Sequence, residues 1–220
     1  ASRTSDLCYR GVQLAIELEK LQSVGIQVVT RSEENYPIFL RKRLQLARPP
    51  VLFYAGNLNL ANSLGISIVG SRNAEQSSIE FAEKLVMKAV KEDLTIFSGG
   101  ARGIDSTAEK TAINNNGRCV SIVPDTLARR IKVRENREAI VKNQLLLLST
   151  ANPNAPFKPY TAMERNKYIY VLSQAAFIVQ STEKKGGTWE GAIENLKNRW
   201  VPAYIRFDEK VPAGNRALIE

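Results

Sequence analysis

The chain of 220 residues is long enough for one α/β domain with a small attachment, and 31 Lys and Arg against 22 Asp and Glu give a net charge of +9. This excess favours a polyanionic partner, first of all nucleic acid, although ordinary basic proteins share it. The absence of histidine excludes His-dependent triads and the commonest zinc ligand.

Two further features concern the cellular setting. The two cysteines, Cys8 and Cys119, are far apart and form neither a CxxC pair nor a disulfide framework. No apolar run approaches the roughly 20 residues that span a bilayer. We therefore expect a cytoplasmic protein that does not insert into a membrane.

The first 63 residues lack a regular alternation of elements. A helix is expected around Leu7 to Leu21, followed by a short strand at IQVV and by two proline-led apolar runs, YPIFLRKRL and PPVLFYAG. The pattern changes at residue 64. We expect an N-terminal extension of residues 1–63 packed on a main domain of residues 64–220.

Short apolar runs alternate with amphipathic stretches through the main domain. The runs are ISIVG (66–70), LTIFS (94–98), CVSIV (119–123), LLLLS (145–149), AAFIVQ (175–180) and VPAYI (201–205). Between the first two, Ile79, Ala82, Val86 and Ala89 repeat at helical spacing. Uniformly apolar runs are typical of strands buried on both faces. The sequence therefore predicts an α/β fold, a Rossmann-like, doubly wound and mainly parallel sheet with helices on both faces.

Three of these runs are followed by turns that combine glycine, a hydroxyl group and a cation. In a parallel sheet such turns meet at one edge, where ligands bind. Glycine allows close backbone approach, helix-start N–H groups donate, and arginine binds phosphate oxygens, so the turns favour an anion site. Glycine turns can also be purely structural. The predicted phosphate-binding residues of the turns are Gly70, Ser71, Arg72, Ser98, Gly99, Gly100, Arg102, Gly103, Lys185, Gly186, Gly187 and Thr188.

Known nucleotide fingerprints are absent. The chain has no G-x-x-x-x-G-K-[ST] and no complete G-x-G-x-x-G, which argues against ATP hydrolysis and NAD chemistry. Asp125, after a strand, stands where an acidic residue could hold a ribose, but coincidence is the simpler interpretation. We expect no cofactor, no metal and no catalytic residue.

Two other groups could contact nucleic acid. The segment ARRIKVRENREA (128–139) contains Arg129, Arg130, Lys132, Arg134 and Arg137, which either follow a phosphate backbone or form a solvated helix face. Phe157, Tyr160 and Trp189 could stack on bases or pack in the core.

Several motifs occur together and in a characteristic order: VGSRNA, FSGGARGIDSTAEKTAI, RENREAI, LLST, ERNKYI, KKGGT and PAGNRALIE. In these the chain resembles the DprA/Smf family. The resemblance implies an extended Rossmann fold that forms a homodimer, binds single-stranded DNA in a positive pocket and helps to load a RecA-type recombinase during natural transformation. The positions that match the family's DNA-contacting motifs are Ser71, Arg72, Ser98, Gly99, Arg102, Gly103, Arg165, Asn166 and Lys185.

Two departures from the family pattern keep alternatives open. Met163 and Glu164 replace a more basic run, and GGTWEGA replaces a GSLITA-like sequence. The GGTWE run with Arg165 also resembles the related LOG nucleotide phosphoribohydrolases, in which Glu190 would be the catalytic carboxylate beside the sugar. A further alternative is a nucleotide sensor without catalytic activity.

Overall fold

The computed structural model describes residues 2–124, 127–153, 163–209 and 211–220. Helices and strands alternate through these residues, as the sequence predicts. The strands are β1 (Gln27–Thr30), β2 (Val51–Ala55), β3 (Gly65–Gly70), β4 (Thr95–Ser98), β5 (Cys119–Ile122), β6 (Leu145–Ser149), β7 (Ala175–Gln180) and β8 (Ala203–Ile205). The helices are α1 (Ser2–Ser23), α2 (Ile38–Leu44), α3 (Gln76–Lys91), α4 (Ile104–Asn114), α5 (Leu127–Lys132), α6 (Arg134–Val141), α7 (Asn166–Leu172), α8 (Gly186–Asn198) and α9 (Ala213–Ile219).

The strands form one eight-stranded sheet in the order β1-β2-β6-β5-β4-β3-β7-β8. All pairings from β6 through β8 are parallel. Every residue of β3, β4, β5 and β6 is buried, as expected for strands that helices cover on both sides. The predicted Rossmann-like, mainly parallel fold is confirmed.

The N-terminal extension adds two strands to this sheet. Strand β1 pairs with β2, and β2 pairs with β6, both antiparallel. The extension thus shares backbone hydrogen bonds with the main sheet instead of only packing on it. The division into two domains at residue 63 remains a prediction.

Two apolar clusters cover the two faces of the sheet. One contains Ala82 and Val86 of α3 together with Ala108 of α4, which confirms the helical spacing read from the sequence. The other contains Leu40 of α2 and Tyr170 of α7. The two layers hold the strand ends rigidly, and these ends carry the candidate site.

The strand order reverses between β3 and β7. Strands β4, β5 and β6 follow β3 on one side, whereas β7 and β8 lie on its other side. Helices after β3 and β7 therefore leave on opposite faces, and a crevice opens beyond the carboxyl ends of these strands.

Candidate functional site

A cavity of about 430 Å³ occupies this crevice. It lies where the turn after β3 faces the turn after β7, the position at which doubly wound sheets bind ligands. The predicted residues that line it are Gly70, Ser71, Arg72, Arg165, Asn166, Lys185, Gly186, Gly187 and Thr188. We call the turns after β3 (residues 70–72), β4 (98–103) and β7 (184–188) the first, second and third turns. The cavity thus brings together the first turn, the third turn and the Arg165–Asn166 pair, which are distant in sequence.

The first and second turns pack backbone against backbone. The N–H of Ile104 donates to the carbonyl of Ser71 at 3.3 Å. Gly103 adopts φ +83°, and a Cβ there would lie 2.7 Å from the carbonyl oxygen of Arg72. Only glycine fits both the conformation and the approach, so Gly103 holds the two turns together and does not line the cavity.

Arg102 lies outside the cavity, on the exposed surface of the second turn. Its Nη2 donates to Oδ1 of Asn73 at 2.8 Å, and Asn73 lines the cavity. The guanidinium therefore stands at the rim, bonded to the residue that follows the exposed Arg72 in sequence.

The third turn opens helix α8. Nδ2 of Asn166 donates to the carbonyl of Gly187 at 2.9 Å and fixes the start of this helix against α7. Lys185, directly before the helix, is exposed and lines the cavity. First-turn N–H groups have no partner within their own helix, so this end of α8 offers donors beside a cation, an arrangement suited to phosphate.

Arg165 lies at the floor of the cavity with only 3% of its surface exposed. Its Nε and Nη1 have no hydrogen-bond partner among the described residues. Burial lowers the pKa of the guanidinium, and the carboxylates of Asp105 and Glu109 oppose this shift. A buried donor without a partner is costly, which makes Arg165 a candidate to bind an acceptor from a ligand.

Two carboxylates accompany Arg165, and sequence reasoning did not select either. Asp105, in the first turn of α4, lines the cavity, is 5% exposed, and bonds to the backbone of Ala101 and Gly70. Glu109 lies one turn later and accepts from Oγ of Ser121 at 2.5 Å. Burial raises the pKa of both carboxyl groups, while Arg165 lowers it. Asp105 could have been selected from the sequence, because it is the aspartate of the SGGARGID motif.

Tyr170 was also missed. It lies on α7, lines the cavity and is 1% exposed, and no residue that the structure describes forms a hydrogen bond with its hydroxyl. Burial raises the pKa of the phenol, which keeps it protonated and able to donate. Its place in the apolar run YIYVL gave no indication of a site; the structure makes it both a core residue and part of the cavity lining.

The start of the second glycine turn, residues 98–100, lies behind the cavity. Ser98 is fully buried, and its Oγ donates to the carbonyl of Ile68 at 2.8 Å, so this predicted residue has a partner inside the protein. Gly99 contacts Arg165, and Gly100 contacts Arg130. These three residues do not line the cavity; they support the side chains around it.

Glu190, the catalytic residue of the hydrolase alternative, is exposed on α8 and does not line the cavity. Its neighbour Trp189 packs against the core instead of standing free as a base-stacking platform. Asp125, Phe157 and Tyr160 lie outside the described residues.

The described residues contain neither a candidate metal site nor a candidate membrane-spanning helix. No group of three or more His, Cys, Asp or Glu side chains there could hold a metal ion. In the same part of the chain, no helix is both long enough and apolar enough to cross a bilayer.

Comparison with known proteins identifies the family. The family model for DNA recombination-mediator protein A matches residues 27–220. The DNA processing protein DprA of Streptococcus pneumoniae is 29% identical over 149 residues, which cover 66% of this chain and 52% of the relative. DprA of Bacillus subtilis is 30% identical over 166 residues, which cover 74% of this chain and 54% of the relative. The chain spans about half the length of the curated relatives it matches.

Solved structures share the fold. The X-ray structure of DprA from Streptococcus pneumoniae superposes with a TM-score of 0.79 at 22% identity, covering 95% of this chain and 72% of that one. DNA processing protein A from Helicobacter pylori, described as having a unique single-stranded DNA binding mode, superposes with a TM-score of 0.72 at 23% identity. The match covers 89% of this chain and 88% of that one. These findings confirm the resemblance read from the motifs. The chain belongs to the DNA recombination-mediator protein A family, whose curated members are named DprA and Smf.

Proposed function

We propose that this chain binds single-stranded DNA in the cavity between β3 and β7 and acts in recombination mediation. The observation that carries the proposal is the floor of the cavity. Arg165 and Tyr170 are buried residues of the cavity lining, each with a polar atom that has no hydrogen-bond partner among the described residues, and the cations of Arg72 and Lys185 border the same space. Family membership and the DNA-binding relative from Helicobacter pylori support the same ligand class.

The site separates into a rim for phosphate and a floor for neutral groups. At the rim, Arg72 and Lys185 are exposed, and the N–H groups that open α8 lie beside Lys185. At the floor, the guanidinium of Arg165 lies close enough to the carboxyl groups of Asp105 and Glu109 to interact with them electrostatically. A cation that carboxyl groups already accompany suits the hydrogen-bonding groups of a sugar or base better than a phosphate.

The size of the cavity favours an unpaired nucleotide. About 430 Å³ lies within the usual range for small-ligand pockets, about 300 to 1,000 Å³. A base in a duplex would have to leave its stack to enter, which costs a few kcal/mol. Single strands should therefore bind more tightly than duplex DNA.

The proposal includes four further properties: a RecA-type recombinase partner, a homodimer, a role in natural transformation and a cytoplasmic location. The first three follow from the family resemblance, and the location from the cysteine usage and the lack of a long apolar run. Absence of catalytic activity belongs to the same proposal. The exposed position of Glu190, away from the cavity, supports it, because a hydrolase needs its carboxylate beside the ribose.

A nucleotide sensor is the second candidate, favoured by a cavity that matches one nucleotide in size. Fluorescence titrations with single-stranded DNA, duplex DNA and AMP at about 50 and 200 mM salt distinguish the two. We expect the single strand to bind best and to weaken with salt. Tight AMP binding without DNA binding would establish the sensor and reject our proposal.

A further inference from the structure

A second basic surface stands beside the cavity, on helices α5 and α6. Both helices follow β5 and so begin at the sheet edge that carries the glycine turns. Arg129, Lys132 and Arg137 are exposed there, and none of them forms an ion pair with a described residue. We call these three residues the α5–α6 cations.

Arg130 connects this surface to the cavity. Its Nη2 donates to the carbonyl of Gly100, and the guanidinium lies against the Cα of this glycine. The next residue, Ala101, lines the cavity. Nδ2 of Asn136 donates to the carbonyl of Arg130 at 2.9 Å and fixes α6 relative to α5. The α5–α6 surface therefore has a defined position next to the cavity wall.

The local charge remains positive after the acidic residues are counted. Glu135 and Glu138 are the carboxylates on these two helices, and Glu138 is paired with Arg134 at 2.8 Å. Both partners are exposed, at 82% and 53%, so the pair is weak and screened by salt. The α5–α6 cations are left to attract an external anion.

The chemistry of the surface identifies the kind of contact. Residues 127–141 contain no aromatic side chain on which a base could stack. Flexible, exposed cations attract phosphates irrespective of sequence. An acidic protein could use the same charges, but the link through Arg130 and Gly100 places the surface next to the cavity, which favours a strand that occupies both.

We propose that the α5–α6 cations bind the phosphodiester backbone of the same single strand after it leaves the cavity. This inference rests on the proposed function and extends the site beyond one nucleotide. At about 1.5 Å per residue, the six residues of α5 and eight of α6 provide a path of at most about 20 Å. With phosphates spaced by at least about 3.4 Å, that path serves at most about six of them.

The test compares two triple variants that lose the same charge. Arg129→Ala, Lys132→Ala and Arg137→Ala remove the α5–α6 cations. Lys84→Ala, Lys88→Ala and Lys91→Ala remove three exposed cations of α3, whose last turn lies at the opposite edge of the sheet. Circular dichroism and thermal melting establish that both variants fold.

Each variant is titrated with a dinucleotide and with a strand of about 20 nucleotides over a range of salt concentrations. For the long strand, the α5–α6 variant should lower the slope of log affinity against log salt by about 2, since each single-strand phosphate contact contributes about 0.7. At about 0.1 M salt this corresponds to at most about a 100-fold weaker affinity. Dinucleotide affinity and the α3 variant should match the wild type.

Three outcomes would contradict the inference. An unchanged slope for the long strand overturns it while leaving the proposed function intact. An equal loss for the dinucleotide places these cations at the cavity itself and not beyond it. A wild type that binds neither oligonucleotide overturns the proposed function and this extension together, and points to an acidic protein as the partner of this surface.

Discussion

The guanidinium of Arg165 occupies the space that a side chain at Gly99 would fill, and a Cβ on Gly99 would overlap Nη1 of Arg165. The glycine of the second turn thus allows a buried cation to reach the floor of the cavity. Arg165 has little room to move, because it is 3% exposed.

Replacing Gly99 with alanine should displace the guanidinium of Arg165, because the added Cβ would overlap it. We expect Gly99→Ala to lower the free energy of unfolding by about 1 to 3 kcal/mol, the usual cost of overpacking, and to weaken single-stranded DNA binding. Urea unfolding and a binding titration measure the two effects. Gly11→Ala in α1 is the control, since no atom lies within 4 Å of its added Cβ. Wild-type stability and affinity in Gly99→Ala would show that Arg165 can be displaced freely.

The carboxyl group of Glu109, a half-buried residue, should make stability depend on pH. Burial raises its pKa above the ordinary value of 4.5, so the folded state holds the proton more tightly than the unfolded state. The resulting stabilisation is complete below the unfolded pKa and is lost as pH rises through the folded pKa. Glu109→Gln cannot ionise and keeps an acceptor for Ser121. Its stability relative to the wild type should therefore increase as pH rises through this interval.

Urea unfolding at a series of pH values checks this expectation. Glu135→Gln, which changes an exposed carboxylate on α6, is the matched control for the loss of one negative charge. A stability difference between Glu109→Gln and the wild type that stays constant with pH, or falls as pH rises, would contradict the assignment.

Arg102 should contribute to DNA binding from the rim. Hydrogen bonds to charged groups contribute about 1.5 to 3 kcal/mol, so Arg102→Ala should weaken single-stranded DNA binding by about 10-fold or more. Lys197→Ala, an exposed cation near the far end of α8, tests the loss of charge alone. Equal affinities of the two folded variants would place the DNA elsewhere.

Glu190 should be dispensable. Its side chain is exposed and does not line the cavity, so Glu190→Gln should bind single-stranded DNA as the wild type does. The wild type should release no adenine from AMP in a chromatographic assay. Release that disappears in a folded Glu190→Gln variant would establish the hydrolase instead.

The sequence was sufficient to predict the parallel sheet and the convergence of the turns. Runs such as LLLLS are apolar throughout because both faces of β6 are covered. Turns after parallel strands meet at one edge, so Gly70 and Gly187 could be placed near each other. In contrast, β1 and β2 are short and join antiparallel at the edge of the sheet, a pairing that local pattern does not determine.

The floor of the cavity could not be predicted in the same way. Contacts between Arg165 and Gly99, or between Arg130 and Gly100, join residues that are distant in sequence and depend on how α7 and α5 pack. Ser98 resembled a phosphate-binding hydroxyl, yet its backbone acceptor on β3 became visible only in the folded chain. Tyr170 carries both an apolar ring and a hydroxyl, and only packing determines which part faces the ligand.

The most direct test of the central claim removes the two exposed cations at the rim of the cavity. The slope of log affinity against log salt for single-stranded DNA is measured for the wild type and for a folded Arg72→Ala, Lys185→Ala variant. If the rim binds two phosphates, the slope should fall by about 1.4 and affinity should drop at every salt concentration. An unchanged slope with wild-type affinity would contradict the claim that this cavity binds the strand.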